Sequence, residues 1–361
     1  MYGLAPDSNI GGEVYERNLL LRLPARGIVP VLGVPRDIEL VDPPPTWRVD
    51  HLGDSPHWAT APARFTPYVL SLLRTRRVQL LRGHSVRYCG PSLLLGRRLA
   101  RSGVPIVLHH HHLSERWGWL EARILTRADA VVAVSEHARH RLLAAGVSAD
   151  RVHVVVQGVA RPPGTDGWPA AWPAEGLRLL TLGRLEPRKR PQLAIDAVAA
   201  LRRRGIAASL VVAGEGPMSL ALAERAHALG VADAVVLLGR VADHDKWRLY
   251  DSAQALIFTS ALEGFGVVVA EAQSRGVPVV ATAGTASIEA FEPDRTGYVA
   301  AATGDALAVA LARLADEPAR RAMSAAAREF AERFDWDRCA DEVAAIYRQL
   351  VVGAADADLR T

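Results

Sequence analysis

Lysine is nearly absent from this chain. Of its 43 basic residues in 361, only Lys189 and Lys246 are lysines, and arginine supplies the rest. Cysteine is as scarce: Cys89 and Cys339 stand alone and far apart, which excludes a disulfide framework and is consistent with unpaired thiols in a reducing compartment. No apolar run reaches the roughly 18 residues of a transmembrane helix. The first residues lack a charged region followed by an apolar core, so no secretory signal is read and the cytoplasm is the expected compartment. No Walker A sequence occurs, which argues against a P-loop ATPase. Val269 stands where a dinucleotide fingerprint begun at Gly264-Phe265-Gly266 needs a glycine, so a nicotinamide-binding assignment is unsupported. The net charge of +4 is spread as scattered arginines, without dense runs or aromatic interleaving, and a nucleic-acid partner is not expected.

What the chain does have is apolar content and a regular alternation. Half of its residues are hydrophobic and its length suffices for two domains. Short apolar runs at 78–82, 106–109, 130–134 and 152–156 read as strands, with helical stretches at 92–101, 115–126 and 136–145 between them. A Pro- and Gly-rich segment, 158–176, has the composition of a linker. Six further strands follow at 177–182, 209–213, 234–238, 255–259, 277–281 and 297–300, and the last helices run from about 317 to 351. Strands alternating with helices predict parallel α/β sheets, and in the second half a doubly wound one. The expected domains are 1–160, a linker at 161–176 and 177–335.

The richest segment lies at the end of the run 255–259. Gly264-Phe265-Gly266 predicts a turn, residues 267–275 a helix, and Gly276 its stop. The amides of Phe265 to Val267 and the helix N-terminus present unpaired N–H groups to an anion. Glu271 leans toward that N-terminus and suits a vicinal diol such as a ribose, while Glu263 suits sugar hydroxyls. Taken alone, two glutamates near a helix start are usually a capping carboxylate and a solvated face. In the first half, Gly11-Gly12 opens a helix through Arg26 and brings backbone amides toward a phosphate, or forms a plain turn before it. His109 to His112 form the loudest cluster there. On a strand, His109 and His111 share one face and His110 and His112 the other. No carboxylate or cysteine stands at ligand-like spacing from them, so satisfied strand-end imidazoles are favoured over a metal. His84 also ends a strand and is a candidate on the acceptor side, as is His110; Ser135-Glu136 reads as a helix cap or a ligand.

Glu263 and Glu271, followed by Gly276-Val277-Pro278, resemble the signature of the retaining glycosyltransferases of family 4. Arg184 and Lys189 in the loop after Gly183 resemble that family's diphosphate grip. Gly214-Glu215-Gly216-Pro217, Gly239-Arg240 and Gly284-Thr285 follow in the family's order, so the resemblance covers most of residues 177–301. It implies a GT-B fold: two doubly wound Rossmann-like domains facing a central cleft, with a terminal helix over 336–351 returning to the first. It implies a hexosyl transfer with retention, from a UDP- or GDP-sugar to a hydroxyl acceptor, without metal or other cofactor. Arg184, Lys189 and His111 take the catalytic positions. Glu263, Gly264, Phe265, Gly266, Val267, Glu271, Gly214, Arg240, Gly11 and Gly12 hold the donor. A nucleotide-sugar-binding relative without transferase activity, or a phosphorylase or epimerase, is the alternative. The family begins with a full apolar strand, whereas only Met1 to Leu4 precede the polar segment here, so either the first strand is truncated or the natural start lies upstream of Met1, the latter being the expectation. Arg64 to Tyr68 with Arg74 to Arg77 form a basic, partly aromatic segment, read as a solvated helix face or as a peripheral contact with the inner face of the membrane.

Overall fold

The computed structural model describes residues 11–36, 40, 43–54, 57–75, 78–111, 118–167 and 172–358. The stretch Met1 to Leu4, the second half of the run Arg74 to Arg77, and His112 lie outside these residues. The chain divides into two compact units, Met1–Gly158 with Asp335–Thr361, and Val159–Phe334.

The first unit begins with α1 (Gly11–Arg22), then β1 (Val31–Pro35), β2 (Arg48–Leu52), α2 (Ala61–Arg74), β3 (Leu81–Gly83), α3 (Val86–Ala100), β4 (Ile106–His110), α4 (Gly118–Leu125), β5 (Ala130–Ala133), α5 (Glu136–Ala144) and β6 (Val152–Val154). Strands β3 to β6 form a parallel sheet in sequence order, and β1 pairs with β2 in a separate parallel pair. Sequence reasoning missed β1 and β2. β2 carries the polar Arg48, Asp50 and His51 and has no fully buried residue, while β1 is apolar but broken by Gly33 and ended by Pro35, so neither reads as a buried central strand. In contrast, every residue of β4 and β5 is buried, and their uninterrupted apolar or histidine character fits a strand covered on both faces.

The second unit runs β7 (Leu177–Leu182), α6 (Gln192–Arg203), β8 (Ala208–Ala213), α7 (Ser219–Ala228), β9 (Val235–Gly239), α8 (Asp243–Ser252), β10 (Ala255–Phe258), α9 (Val267–Ser274), β11 (Val279–Thr282), β12 (Gly297–Ala300), α10 (Gly304–Ala312) and α11 (Glu317–Ala331). Its six strands are all parallel in the order β12-β11-β10-β7-β8-β9. The core packs Leu179, Leu210, Ile257 and Val280 of the strands against Ile195, Val198 and Leu201 of α6, all fully buried. Each such side chain removed from water contributes about 1.5–3 kcal/mol.

The segment read as a linker does not stand apart over its described part. Arg275 donates to Pro162 O at 2.8 Å and to Pro163 O at 3.3 Å, and Thr165 Oγ1 donates to Asp251 at 2.6 Å, so residues 159–167 lie against the second unit. The last helix, α12 (Trp336–Asp358), groups with the first unit. Trp336 covers Gly158 so closely that a Cβ there would meet its backbone nitrogen at 2.5 Å, which leaves glycine as the residue that fits. Among the described residues, no helix is long and apolar enough to cross a membrane.

Candidate functional site

Strand order in the second unit reverses between β7 and β10, and the crevice beyond their carboxyl ends is where an open α/β sheet takes a ligand. Two loops meet there, 183–191 after β7 and 259–266 after β10. They are stitched together along their backbones: Ala261 N donates to Arg188 O at 2.7 Å, and Thr259 Oγ1 donates to Lys189 O at 2.8 Å. Arg190 sets the loop's shape. Its φ of +50° is left-handed, a conformation costing a non-glycine residue about 1–3 kcal/mol. Its guanidinium offsets that cost by donating to Thr259 O at 2.7 Å, Ser260 O at 3.1 Å and Thr282 Oγ1 at 3.0 Å. Gly183, Arg184, Leu185, Lys189 and Ser260 line a crevice at this point.

Each of the two lysines is paired with one of the two motif glutamates. The Lys189 ammonium donates to Glu263, and both side chains keep a little exposure at 21% and 15%. Lys246, on α8, donates to Glu271 Oε1 at 2.8 Å, and Tyr250, one turn further along, donates to Glu271 Oε2 at 3.0 Å. Burial alone depresses the Lys246 ammonium, but Glu271 and Asp243 outweigh it and hold its pKa above the ordinary value. Burial and the Glu271 charge likewise push the Tyr250 phenol well up, so it stays a donor. Glu271 is thus fixed and nearly buried, with one bond on each oxygen. A carboxylate has about four lone-pair directions, so acceptor capacity for a diol remains. Sequence reasoning named neither Lys246 nor Tyr250 as site residues, although the rarity of lysine and the spacing of four on one helix face were both visible.

The remaining residues of this half fall into three groups. Gly266, with φ +96°, starts α9, and Val267 is its first residue; Phe265 is buried edge-on against Phe334 at 5.5 Å, and Gly264 lies in the turn between them and Glu263. Gly214 is a buttress: a Cβ on it would meet Gly183 O at 1.8 Å, and its own N donates to Gly239 O at 2.7 Å. Only a residue without a side chain lets these loops approach. Arg184 is exposed and paired with Glu186 at 2.9 Å, and Arg240 is exposed just beyond the edge strand β9.

In the first unit the structure gathers Gly12, His84 and His111, and adds residues the sequence did not flag. A Cβ on Gly12 would stand 3.1 Å from His84 Nε2, at the start of α1, which Gly11 opens. Glu16, fully buried on α1, accepts from Arg82 and lies 2.6 Å from His84 Nδ1. Burial alone raises the Glu16 pKa, but the Arg82 and His84 charges pull it well below the ordinary carboxylate range. His84 Nδ1 is 3.4 Å from His111 Nε2. His109 and His111 do share a face: both rings pack on Tyr15, at 5.7 and 5.0 Å. His109 is fully buried between Tyr15 OH at 3.0 Å and Tyr347 OH at 2.7 Å, and burial, then Arg82, lower its pKa well below the ordinary value. A neutral imidazole satisfies two hydroxyls, donating from one nitrogen and accepting at the other. His110 is buried on β4. Ser135 caps α5, accepting from Ala138 N at 3.0 Å. Among the described residues, no group of three His, Cys, Asp or Glu side chains converges as a metal site.

Comparison with known proteins places these features in a family. Residues 168–330 match the model of "Glycosyl transferases group 1" and residues 10–161 that of "Glycosyltransferase Family 4". A GDP-mannose-dependent alpha-(1-6)-phosphatidylinositol monomannoside mannosyltransferase of Mycobacterium tuberculosis is 31% identical over 72% of this chain and 73% of its own length. A D-inositol 3-phosphate glycosyltransferase of Saccharomonospora viridis is 36% identical over 49% of this chain, which spans less than half, 44%, of that relative. In fold, Anabaena HepE in complex with UDP and glucose superposes with a TM-score of 0.73 at 20% identity, over 95% of this chain and 97% of that one.

Proposed function

The chain belongs to the group 1 glycosyltransferases of GT-B type, with two Rossmann-like domains, and from that premise we propose that it moves a hexosyl group from a nucleotide diphosphate sugar to a hydroxyl acceptor with retention of configuration. The observation that carries this reading is the Lys189–Glu263 pair at the strand-order reversal. It sets a cation for a diphosphate beside a carboxylate for sugar hydroxyls. A bound diphosphate gives Lys189 a second anionic partner, which releases Glu263 oxygen capacity to the sugar.

As the bond from the anomeric carbon to the diphosphate oxygen breaks, negative charge grows on the leaving group. Lys189 and Arg184 stabilise it, aided by the N-terminus of α9 and the backbone amides after Gly11. That set of cations does the work a metal ion does elsewhere, so the reaction proceeds without one. Glu271, steadied by Lys246 and Tyr250, accepts from the ribose hydroxyls. The acceptor oxygen bonds the anomeric carbon on the face the diphosphate leaves, and the acceptor proton passes to the departing phosphate oxygen. His111 contacts the transferred sugar.

The donor is a UDP- or GDP-linked sugar, and the relatives' names put inositol-bearing alcohols first among acceptors to try. The test incubates the purified chain with a panel of both donor classes and such acceptors, and reads nucleoside diphosphate release and glycoside formation. Lys189→Ala is expected to lower turnover by about 10²-fold or more. Unchanged transfer by that variant refutes the role of Lys189, and donor binding without product by the native chain refutes transfer.

A further inference from the structure

Three non-glycine residues among those described have a left-handed backbone: Arg101, Arg190 and Asp294. Arg101 closes the C-terminus of α3 and Asp294 lies in the turn before β12. Arg190, at φ +50°, instead stands between Lys189 and Pro191, which both line the crevice of the second unit. Such a backbone is penalised in any residue with a Cβ, persists only where its surroundings over-determine it, and gathers at functional sites. Here the side chain's own bonds do the over-determining. Its guanidinium donates to Thr259 O, Ser260 O and Thr282 Oγ1, so one group ties the loop after β7 to the carboxyl ends of β10 and β11. Thr259 completes the tie, its Oγ1 lying 2.8 Å from Lys189 O and 2.9 Å from Arg190 O. Lys189 N donates to Glu186 O at 2.9 Å, so the Lys189 backbone is held from both sides while its ammonium reaches Glu263 on the facing loop.

We propose that Arg190 is a positioning residue that, by locking the left-handed turn after Lys189, aims the Lys189 ammonium at Glu263 and at the diphosphate of a bound donor. The inference rests on the reading that Lys189 meets the leaving diphosphate. Arg190 acts on the backbone, since the partners of its guanidinium are two carbonyls and a hydroxyl of the protein. Pro191 defines what happens without those anchors. A proline disfavours the right-handed helical region for the residue before it, so an unanchored side-chain-bearing residue at 190 relaxes to extended backbone. That change turns the preceding peptide, and Lys189 with it, relative to α6, which begins at Gln192.

Arg190→Ala and Arg190→Gly test this as a pair. Both remove the anchors, but alanine keeps the left-handed penalty and glycine adopts φ +50° freely. Calorimetry with UDP and with GDP is expected to show the nucleotide that the native chain binds held about 10-fold or more weakly by Arg190→Ala, and roughly threefold tighter by Arg190→Gly than by Arg190→Ala. Native-like affinity in Arg190→Ala, or alanine binding as well as glycine, overturns the proposal. A second readout follows Lys189 itself. Because Lys189 and Lys246 are the chain's two lysines, nitrogen-15 NMR of lysine-labelled protein gives two ammonium signals, with Lys189 assigned by its loss in Lys189→Met. Arg190→Ala is expected to move the Lys189 signal toward its position in Glu263→Gln and to leave Lys246 in place. An unmoved Lys189 signal overturns the proposal, and so does movement of both signals, which would mark a general disturbance of the unit. If Arg190→Ala does not fold, Arg190→Gly carries the NMR test, and a native Lys189 signal there overturns it equally. The NMR readout needs no donor, so a native chain that binds neither nucleotide counts against the function proposed above and leaves the Lys189 signal to decide the role of Arg190.

Discussion

Replacing Lys246 by Met isolates the electrostatic role of the second motif glutamate, because methionine keeps the apolar stem and removes the charge. Lys246 Nζ lies 2.8 Å from Glu271 Oε1 and 2.9 Å from Asp243 Oδ1, with 16% of its side chain exposed and 10% of that of Glu271. Stranding one partner of a fully buried pair costs about 3–5 kcal/mol. The residual exposure and the Tyr250 bond to the other oxygen reduce this to about 2–3 kcal/mol. Glu271→Gln costs less, about 1–2 kcal/mol, since Lys246 retains Asp243 and the carboxamide stays bonded to Tyr250. Combined, the two changes no longer leave an unpaired buried charge, so the double variant is expected to lose about 1–2 kcal/mol less than the sum of the singles. Urea unfolding of the four proteins gives the coupling, with several spectroscopic probes because two units need not unfold together. Additivity within about 0.5 kcal/mol refutes the claim that Lys246 holds Glu271. The sign with pH is fixed too. The folded pKa of Lys246 is raised, so its stabilisation is complete below the ordinary value of 10.5 and is lost as pH climbs through the folded value.

Acid should weaken the first unit in two stages. The His109 pKa is lowered, so below the ordinary 6.5 the unfolded chain binds a proton the folded chain refuses, and stability falls by up to about 1.4 kcal/mol per pH unit. His109→Gln is expected to flatten the urea midpoint between pH 7 and 5, and an unaltered slope would contradict the buried neutral imidazole. The Glu16 pKa is lowered as well, so its contribution is present above the ordinary 4.5 and disappears as pH falls below that. Gly214→Ala drives a Cβ to 1.8 Å from Gly183 O, and the loop bearing Arg184 and Lys189 must move. Loss of nucleotide binding is expected in calorimetry, together with about 3 kcal/mol or more of stability. Native-like binding would show that the buttress is dispensable.

Much of the second unit was legible because its strands are predominantly apolar runs, as strands covered on both faces tend to be. The runs at 177–182 and 297–300 coincide with β7 and β12 to the residue. The Glu263 and Lys189 positions were legible for a related reason: loops at strand ends carry polar residues that the fold does not need. What escaped was pairing across distance. Nothing along the chain ties Glu16 to Arg82, 66 positions away, or Lys246 to Glu271, since ion pairs leave no periodicity. The pair β1 and β2 escaped because Gly33 and Pro35 in the first strand and Arg48, Asp50 and His51 in the second give them the composition of loops.

The sequence by itself determined the α/β class, the succession of strands along the second half, the positions of the two glutamates and of the loop bearing Arg184 and Lys189, and the family they point to. Backbone periodicity and local turn chemistry act over a few residues, and those features are local. Only the tertiary structure decided that both lysines lock onto those glutamates, that Gly214 exists to let Gly183 approach, and that the histidine run meets a buried carboxylate through His84. Each of these is set by burial. A charge or a Cβ acquires its meaning from what the folded chain packs against it, and that neighbour comes from elsewhere in the sequence.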